Sequence, residues 1–336
     1  MMLTSRASLA QTVSPRQPEP AILLDRPQPC PAADSGGQWV WKADLTTFLR
    51  DAEFSLPYTR GYTAIGFFLN PTVSRRIGTK GRAEVGLHLS TAAGYDGLHT
   101  WQPLVRLEYT PSSHCRIVMG TLYGNLSHGF YEPMLDRERY IYAHQEEGIQ
   151  ILADIPALRW HTDTYLHWEN LLEPWQEDQE RFTLGSNNEV VPLDIAWGNS
   201  RLQVTIPMAF LGSHRGGQFS ALDTCIQSLL TESVGLRTAL TLGKRHTVTL
   251  HAPWFFYQDI SPTSWMAYNR GRGFWPQISY DYHKTGQWHG AICVGYWQGN
   301  QYIAPRGSYL FQSISWHQPT YTETDRAMIT ARLFAE

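Results

Sequence analysis

The stretch Arg201-Leu202-Gln203-Val204-Thr205-Ile206-Pro207-Met208-Ala209-Phe210 decides the fold. Leu202, Val204, Ile206, Met208 and Phe210 fall on every second position, opposite Arg201, Gln203 and Thr205. Successive side chains of a β-strand point to opposite faces, so this segment has one apolar and one polar side.

The same alternation recurs along the chain. Ala83, Val85, Leu87 and Leu89 oppose Arg82, Glu84, His88 and Ser90; Val105, Leu107 and Tyr109 oppose Arg106, Glu108 and Thr110. Leu158, Trp160, Leu166 and Trp168 oppose Arg159, His161, Asp163, His167 and Glu169. Val234, Leu236, Leu240 and Leu242 oppose Arg237 and Thr241, and Ile278, Tyr280 and Tyr282 oppose Asp281 and His283. The reading gives about 15 strands, including one near 308–316 and one near 326–334. Short turns alternate with long polar loops, as in outer-membrane barrels. Two loops show helical signals, one after Pro133 and one on the spacing of Leu222, Ile226, Leu229 and Leu230.

A soluble sandwich also alternates. Three features favour a barrel instead. The strands approach the ~9–11 residues of a membrane strand. Charge recurs along the whole polar face, as a wet lumen permits. Aromatics such as Trp39, Trp101, Tyr109, Tyr123, Trp160, Trp197, Trp254, Trp288 and Trp316 sit near strand ends and suit interfacial girdles.

Composition agrees. Among 336 residues, 42% are hydrophobic and 17% charged, with a net charge of -3. That excludes global disorder and gives no basic face for nucleic acid. Mean hydropathy is -0.34, and no apolar run reaches a membrane helix. The expected fold class is therefore all-β: a single antiparallel transmembrane β-barrel of about 14–16 strands. It has short turns on one side and long loops on the other. Residues 1–37 read as a signal remnant with a Pro-rich disordered leader, and 38–336 as the barrel. Ser8-Leu9-Ala10 offers a cleavage site, but the apolar stretch before it is missing. Bacterial barrels have even strand numbers, so a count of 15 means a miscount or a truncated C-terminus.

Several segments also resemble a known family: Gly124-Asn125-Leu126-Ser127-His128, Glu132-Pro133, Asp136-Arg137-Glu138-Arg139, Gly148-Ile149-Gln150-Ile151, Trp168-Glu169-Asn170, Gln179-Glu180-Arg181-Phe182 and Trp297-Gln298-Gly299-Asn300-Gln301-Tyr302-Ile303-Ala304-Pro305. They are similar to poorly characterised Gram-negative outer-membrane β-barrel, porin-like proteins, over roughly residues 60–335. The resemblance implies a bacterial outer-membrane location and supplies no catalytic site or substrate.

The functional expectation is passive passage of small polar solutes, without reaction, cofactor or metal. The pore-lining set is Arg82, Glu84, Arg106, Glu108, Arg159, His161, Asp163, His167, Glu169, Arg201, Arg237, Asp281 and His283. These charges line a selectivity path or simply pair across strands. Asn125, His128, Glu132, Asp136, Arg137, Glu138 and Arg139 would form a constriction if loop 124–147 folds inward. Expected partners are outer-membrane lipid, small polar solutes and a protein docked on the long loops, with no nucleic acid. The alternatives are a secreted or surface carbohydrate-binding or carbohydrate-cleaving β-sandwich, and a plugged barrel that docks a partner protein. Enzymatic readings are weak. Glu132, Glu169 and Glu173 could pair as in a glycoside hydrolase, but no Gly-x-Ser-x-Gly elbow, phosphate loop or metal-ligand spacing is present.

Overall fold

The computed structural model describes residues 37–95, 97–98, 100–123, 128–143, 145–171, 178–217, 226–243, 245–284, 288–318 and 320–335. Apart from Gly37, the expected leader lies outside them. The described residues form one antiparallel sheet of fifteen strand segments. They are β1 (Trp39–Ala52), β2 (Tyr62–Ile77), β3 (Gly81–Ala92), β4 (Thr100–Ser112), β5 (Cys115–Thr121), β6 (Glu147–Ile155), β7 (Trp160–Asn170) and β8 (Arg181–Trp197). There follow β9 (Ser200–Arg215), β10 (Gln227–Leu242), β11 (His246–Asp259), β12 (Arg270–Phe274), β13 (Gln277–Lys284), β14 (Trp288–Asn300) and β15 (Asp325–Ala335).

The odd count resolves itself. β12 and β13 lie end to end between the same neighbours: β12 pairs with Trp254–Gln258 of β11, and β13 with His246–His251. Both also pair with β14. Pro276 has no N–H to give a ladder, which breaks the stave at that point. Fifteen segments thus make fourteen staves, the even number expected of a bacterial barrel. The strand expected near 308–316 is corrected: Tyr309–Phe311 is a 3-10 turn inside a loop. The helical spacing of Leu229 and Leu230 is also overturned, since both lie in β10.

Among the described residues no ladder joins β1 to β15. Side chains span this seam instead. In the loop between β5 and β6, Glu132 holds Arg332 of β15 and Glu138 holds Arg50 of β1. Tyr58, just past β1, bonds Glu323 and receives a bond of 3.3 Å from Tyr321, both just before β15.

The two faces of the wall differ sharply. Leu236 is 48% exposed while Arg237 beside it is 1% exposed. Val85, Leu87, Val105, Leu107, Met119, Ile149, Leu250, Ile278, Ile292 and Leu333 all stand on the outside with no second layer over them. A sheet that leaves its aliphatic face bare is stable where hydrocarbon, not water, is the solvent. Trp39, Trp101, Tyr109, Trp197 and Trp254 also face outward. Tyr123 departs from the expected girdle: it is buried in the lumen, with the Arg106 guanidinium 3.7 Å from its ring centre.

The lumen is filled at its long-loop end. Inward-facing Tyr165, Leu211, Leu229, Phe255, Trp275 and Trp297 pack against Phe130, Tyr131, Met134 and Leu135 of the β5–β6 loop. Tyr302, Ile303, Ala304 and Phe311 of the β14–β15 loop complete this core. An apolar core of that kind excludes water from the space it occupies.

Candidate functional site

The β5–β6 loop is the centre of the polar organisation, and it folds into the barrel. Its neck is closed by Leu122 N–H donating to Glu146 O at 2.9 Å. Beyond it, α1 (Arg139–Tyr142) forms a single turn, and the C-terminal loop grips the segment from behind. Tyr302 OH donates to Pro133 O at 3.1 Å, Ser308 N–H to Glu132 O at 3.0 Å, and Asp136 N–H to Arg306 O at 2.6 Å.

His128 anchors the loop to the wall. Its Nδ1 lies 3.0 Å from Asp163 Oδ2 on β7 and its Nε2 lies 2.7 Å from Glu146 Oε2. The ring stacks on Tyr165 at 3.7 Å between centroids. Gly185 on β8 makes room for this stack, because a Cβ there would lie 2.4 Å from the Tyr165 ring. Burial disfavours the imidazolium, but the two carboxylates outweigh it and raise the His128 pKa to about 9. Burial also opposes the Glu146 charge. The His128 bond and the charges of His128, Arg139 and His167 hold Glu146 well below the usual carboxylate range nonetheless. Gln150 ties the group together, donating to Asp163 Oδ1 at 2.8 Å and to Tyr123 O at 2.9 Å. Arg139 reaches Glu146 Oε1 at 3.1 Å.

A second group forms under the rim of β1 and β2. Glu138 accepts from Arg50 Nε at 2.7 Å and from Tyr62 OH at 2.6 Å. Asp136 accepts from Glu138 N–H at 3.1 Å and from Tyr142 OH at 2.8 Å. Burial pushes the Asp136 pKa up. Arg137 lies 3.9 Å from Glu132. The expected constriction residues therefore divide between a His128 anchor and a seam-bridging group; Asn125 lies outside the described residues.

The expected pore-lining residues are dispersed. Arg106 meets Glu84 at 2.8 Å, Arg82 meets Glu108 at 3.2 Å and Arg237 meets Glu189 at 2.9 Å. Asp163, His167 and Glu169 turn inward on β7, where Glu169 accepts from Thr183 at 2.5 Å and pairs with Arg306. His161 and Asp281 are half-buried nearer the short-turn end. Arg201 pairs with Asp194 beside the β8–β9 turn, and His283 is exposed at the end of β13. Arg159 is corrected: it is exposed and left-handed (φ 46°), closing the 156–159 turn outside the lumen. Sequence reading missed Glu146, Arg306 and Arg332. Each sits in a loop or an edge strand, with no spacing signal to link it to its partner.

These features define an antiparallel β-barrel with a bare aliphatic outer face, suited to a membrane, and a packed, loop-filled lumen. The chain belongs to the lipid A 3'-O-deacylase-type family, whose family model matches residues 32–336. This membership overturns the expectation that the protein is not an enzyme, since the family is named for a deacylase. Among solved structures it is similar to in-vitro folded OmpT, an outer membrane protein of Vibrio cholerae, in its trimer form. Identity there is 6%, covering 90% of this chain and 100% of that one, with a TM-score of 0.39. The outer-membrane expressed OmpT of Vibrio cholerae is 8% identical, with 90% and 99% covered and a TM-score of 0.37. No curated protein matches the chain.

Proposed function

We propose that this barrel hydrolyses an acyl ester of an outer-leaflet lipid, with lipid A as the substrate class. The observation that carries the reading is the family match across residues 32–336. Two physical features support it. Outward Leu, Val, Ile and Trp residues put lipid, not dissolved solute, against the widest surface of the protein. The packed lumen at the long-loop end disfavours free passage of solutes. A shallow apolar groove of about 590 Å³ crosses the β1–β3 wall near the long-loop end, lined in part by Leu49, Ile65, Phe67 and Ala93. It offers an acyl chain a place to lie.

His128 is a poor proton acceptor for such a reaction, because both ring nitrogens face carboxylates and the ring is held as a cation. It serves as the pillar of the loop. The test is mass spectrometry of lipid A incubated with the folded barrel in detergent. The expected product lacks one acyl chain, released as the free acid with uptake of one water. Unchanged lipid A beside a barrel that keeps heat-modifiable gel migration would refute the reading.

A further inference from the structure

We infer that Arg270 and Arg272 of β12 form an outward-facing site for the phosphate of an outer-leaflet lipid. The site needs no hydrolysis and stands apart from the proposed deacylation.

The sequence of β12 is Arg270-Gly271-Arg272-Gly273-Phe274, so its long side chains fall on alternate positions. The intervening glycines face the packed lumen, where no side chain fits. A Cβ at Gly271 would lie 2.0 Å from Gln301 O, and one at Gly273 would lie 2.1 Å from the Trp297 ring. Trp297 is fully buried in the lumen core. Arg270, Arg272 and Phe274 therefore share the outer face, and both arginines are exposed.

Register sets their depth. Phe274 pairs with Trp254, their rings stacked at 4.7 Å between centroids. Arg272 pairs with Phe256 and Asn300, and Arg270 pairs with Gln258. Trp254 and Phe256 are outward and exposed. Toward the β11–β12 loop the wall thus passes from stacked aromatics to guanidinium groups within four residues, about 14 Å of strand. Aromatic belts mark the boundary between hydrocarbon and headgroups, and long loops mark the outer leaflet. Arginines just above the belt stand among outer-leaflet headgroups.

The protein does not balance this charge. Arg50, Arg82, Arg106, Arg201, Arg237 and Arg332 each meet a carboxylate. Among the described residues neither Arg270 nor Arg272 has a side-chain hydrogen bond or ion pair. Along the row of Arg272 the acids are Glu232 of β10 and Asp325 of β15, each two strands and about 10 Å away. Asp325 already accepts from Asn300 at 2.7 Å. Asp259, at the end of β11, accepts from Ser261 N–H at 2.9 Å and from Ser264 OH at 2.6 Å. Two guanidinium groups on Cα atoms about 7 Å apart can close on one phosphate, each presenting a planar fork of donors.

Native mass spectrometry of diphosphoryl lipid A bound to the folded full chain in non-ionic detergent tests this. Removal of acyl chains does not disturb the count, since the lipid keeps both phosphates. Arg270→Gln combined with Arg272→Gln, checked for heat-modifiable migration, should weaken the tightest-bound lipid at least about ten-fold, because each arginine supplies charge-assisted hydrogen bonds. Lysine at both positions should recover part of the affinity, keeping the charge without the fork. Lipid A stripped of its phosphates should bind wild type as weakly as diphosphoryl lipid A binds the double glutamine variant. The same charge loss at the short-turn end, Arg159→Gln with Arg245→Gln, should change affinity by less than about two-fold, since those exposed charges lie beyond the screening length. Equal affinity for phosphorylated and stripped lipid, or equal weakening by the two glutamine pairs, would overturn the site. Displacement of the lipid by excess inorganic phosphate would overturn the assignment to a lipid. Lipid A that binds through these arginines and is never cleaved would support the site while refuting the proposed deacylation.

Discussion

Two histidines of this barrel show what a carboxylate neighbour does at different depths. His128 is wrapped inside, with an acidic oxygen within 3.0 Å of each ring nitrogen, and is held as a cation. His214 stands on the lipid-facing rim, with a carbonyl on one nitrogen, a hydroxyl on the other and its carboxylate 3.9 Å away. The first has no nitrogen left to accept a proton and serves to fasten a loop. The second keeps a lone pair directed at the Ser228 hydroxyl. The carboxylate contacts inside fix a charge, and the carbonyl contact at the rim fixes only a tautomer.

The sharpest way to break that contrast is to remove charge from the inner histidine. His128→Phe keeps the ring stack on Tyr165 but leaves Asp163 and Glu146 without their shared cation. Breaking a buried pair in this way costs about 3–5 kcal/mol. The expected result is a marked fall in the temperature at which heat-modifiable migration is lost. If His128 were a catalytic base instead, the variant would keep its stability and lose only turnover.

The outer wall supplies the next largest effect. Leu87→Arg places charge against hydrocarbon in mid-strand and should cost about 2–4 kcal/mol. Thr110→Arg, on the inner face beside the β4–β5 turn, should cost less than about 1 kcal/mol. Refolding titrations into lipid vesicles read both. Equal costs would mean that the bare aliphatic face does not meet lipid.

The reason this wall could be read from sequence is local: Leu87 and His88 declare opposite faces by adjacency alone. The same rule fails wherever both faces are covered by protein. Tyr309 and Phe311 are spaced like a strand, yet they belong to the loop segment that helps fill the lumen. Arg270–Phe274 is short and carries Gly271 and Gly273, so it gave no apolar–polar alternation to see, although β11 and β14 hold it in place. The inward loop is visible as a charge-rich segment, but its anchoring needs pairs that no spacing marks: Glu146 with His128 across the loop, and Arg332 with Glu132 from the far end of the chain. His214 and Ser228 are separated by 13 residues, and only the β9–β10 register brings them together.

Solution pH probes the inner histidine more gently than mutation. A folded-state pKa raised to about 9, against about 6.5 in the unfolded chain, adds stability that is complete below about pH 6.5. It declines above that and is gone once pH passes about 9. Glu146, held below its ordinary value, contributes in the opposite direction: its share is full above about pH 4.3 and is lost as pH falls further. Thermal scans from pH 4 to 10 should therefore show a plateau between these limits and an alkaline decline that His128→Phe flattens.

The smallest effect belongs at the short-turn end, where ion pairs are wet. Arg201 meets Asp194 through Nε at 2.6 Å, in geometry as good as that of the buried pairs, yet its side chain is 38% exposed. Solvent screens such a pair, and water replaces either partner when it is cut. Arg201→Gln should then shift stability by less than about 1 kcal/mol, and 0.5 M salt should erase most of the difference from wild type. Arg237→Gln, which removes a nearly inaccessible guanidinium from Glu189 at a similar distance, should cost several times more and ignore salt. If the two variants responded alike, burial would not be what separates the lumen from its rim, and the distinction between the two histidines would lose its physical basis.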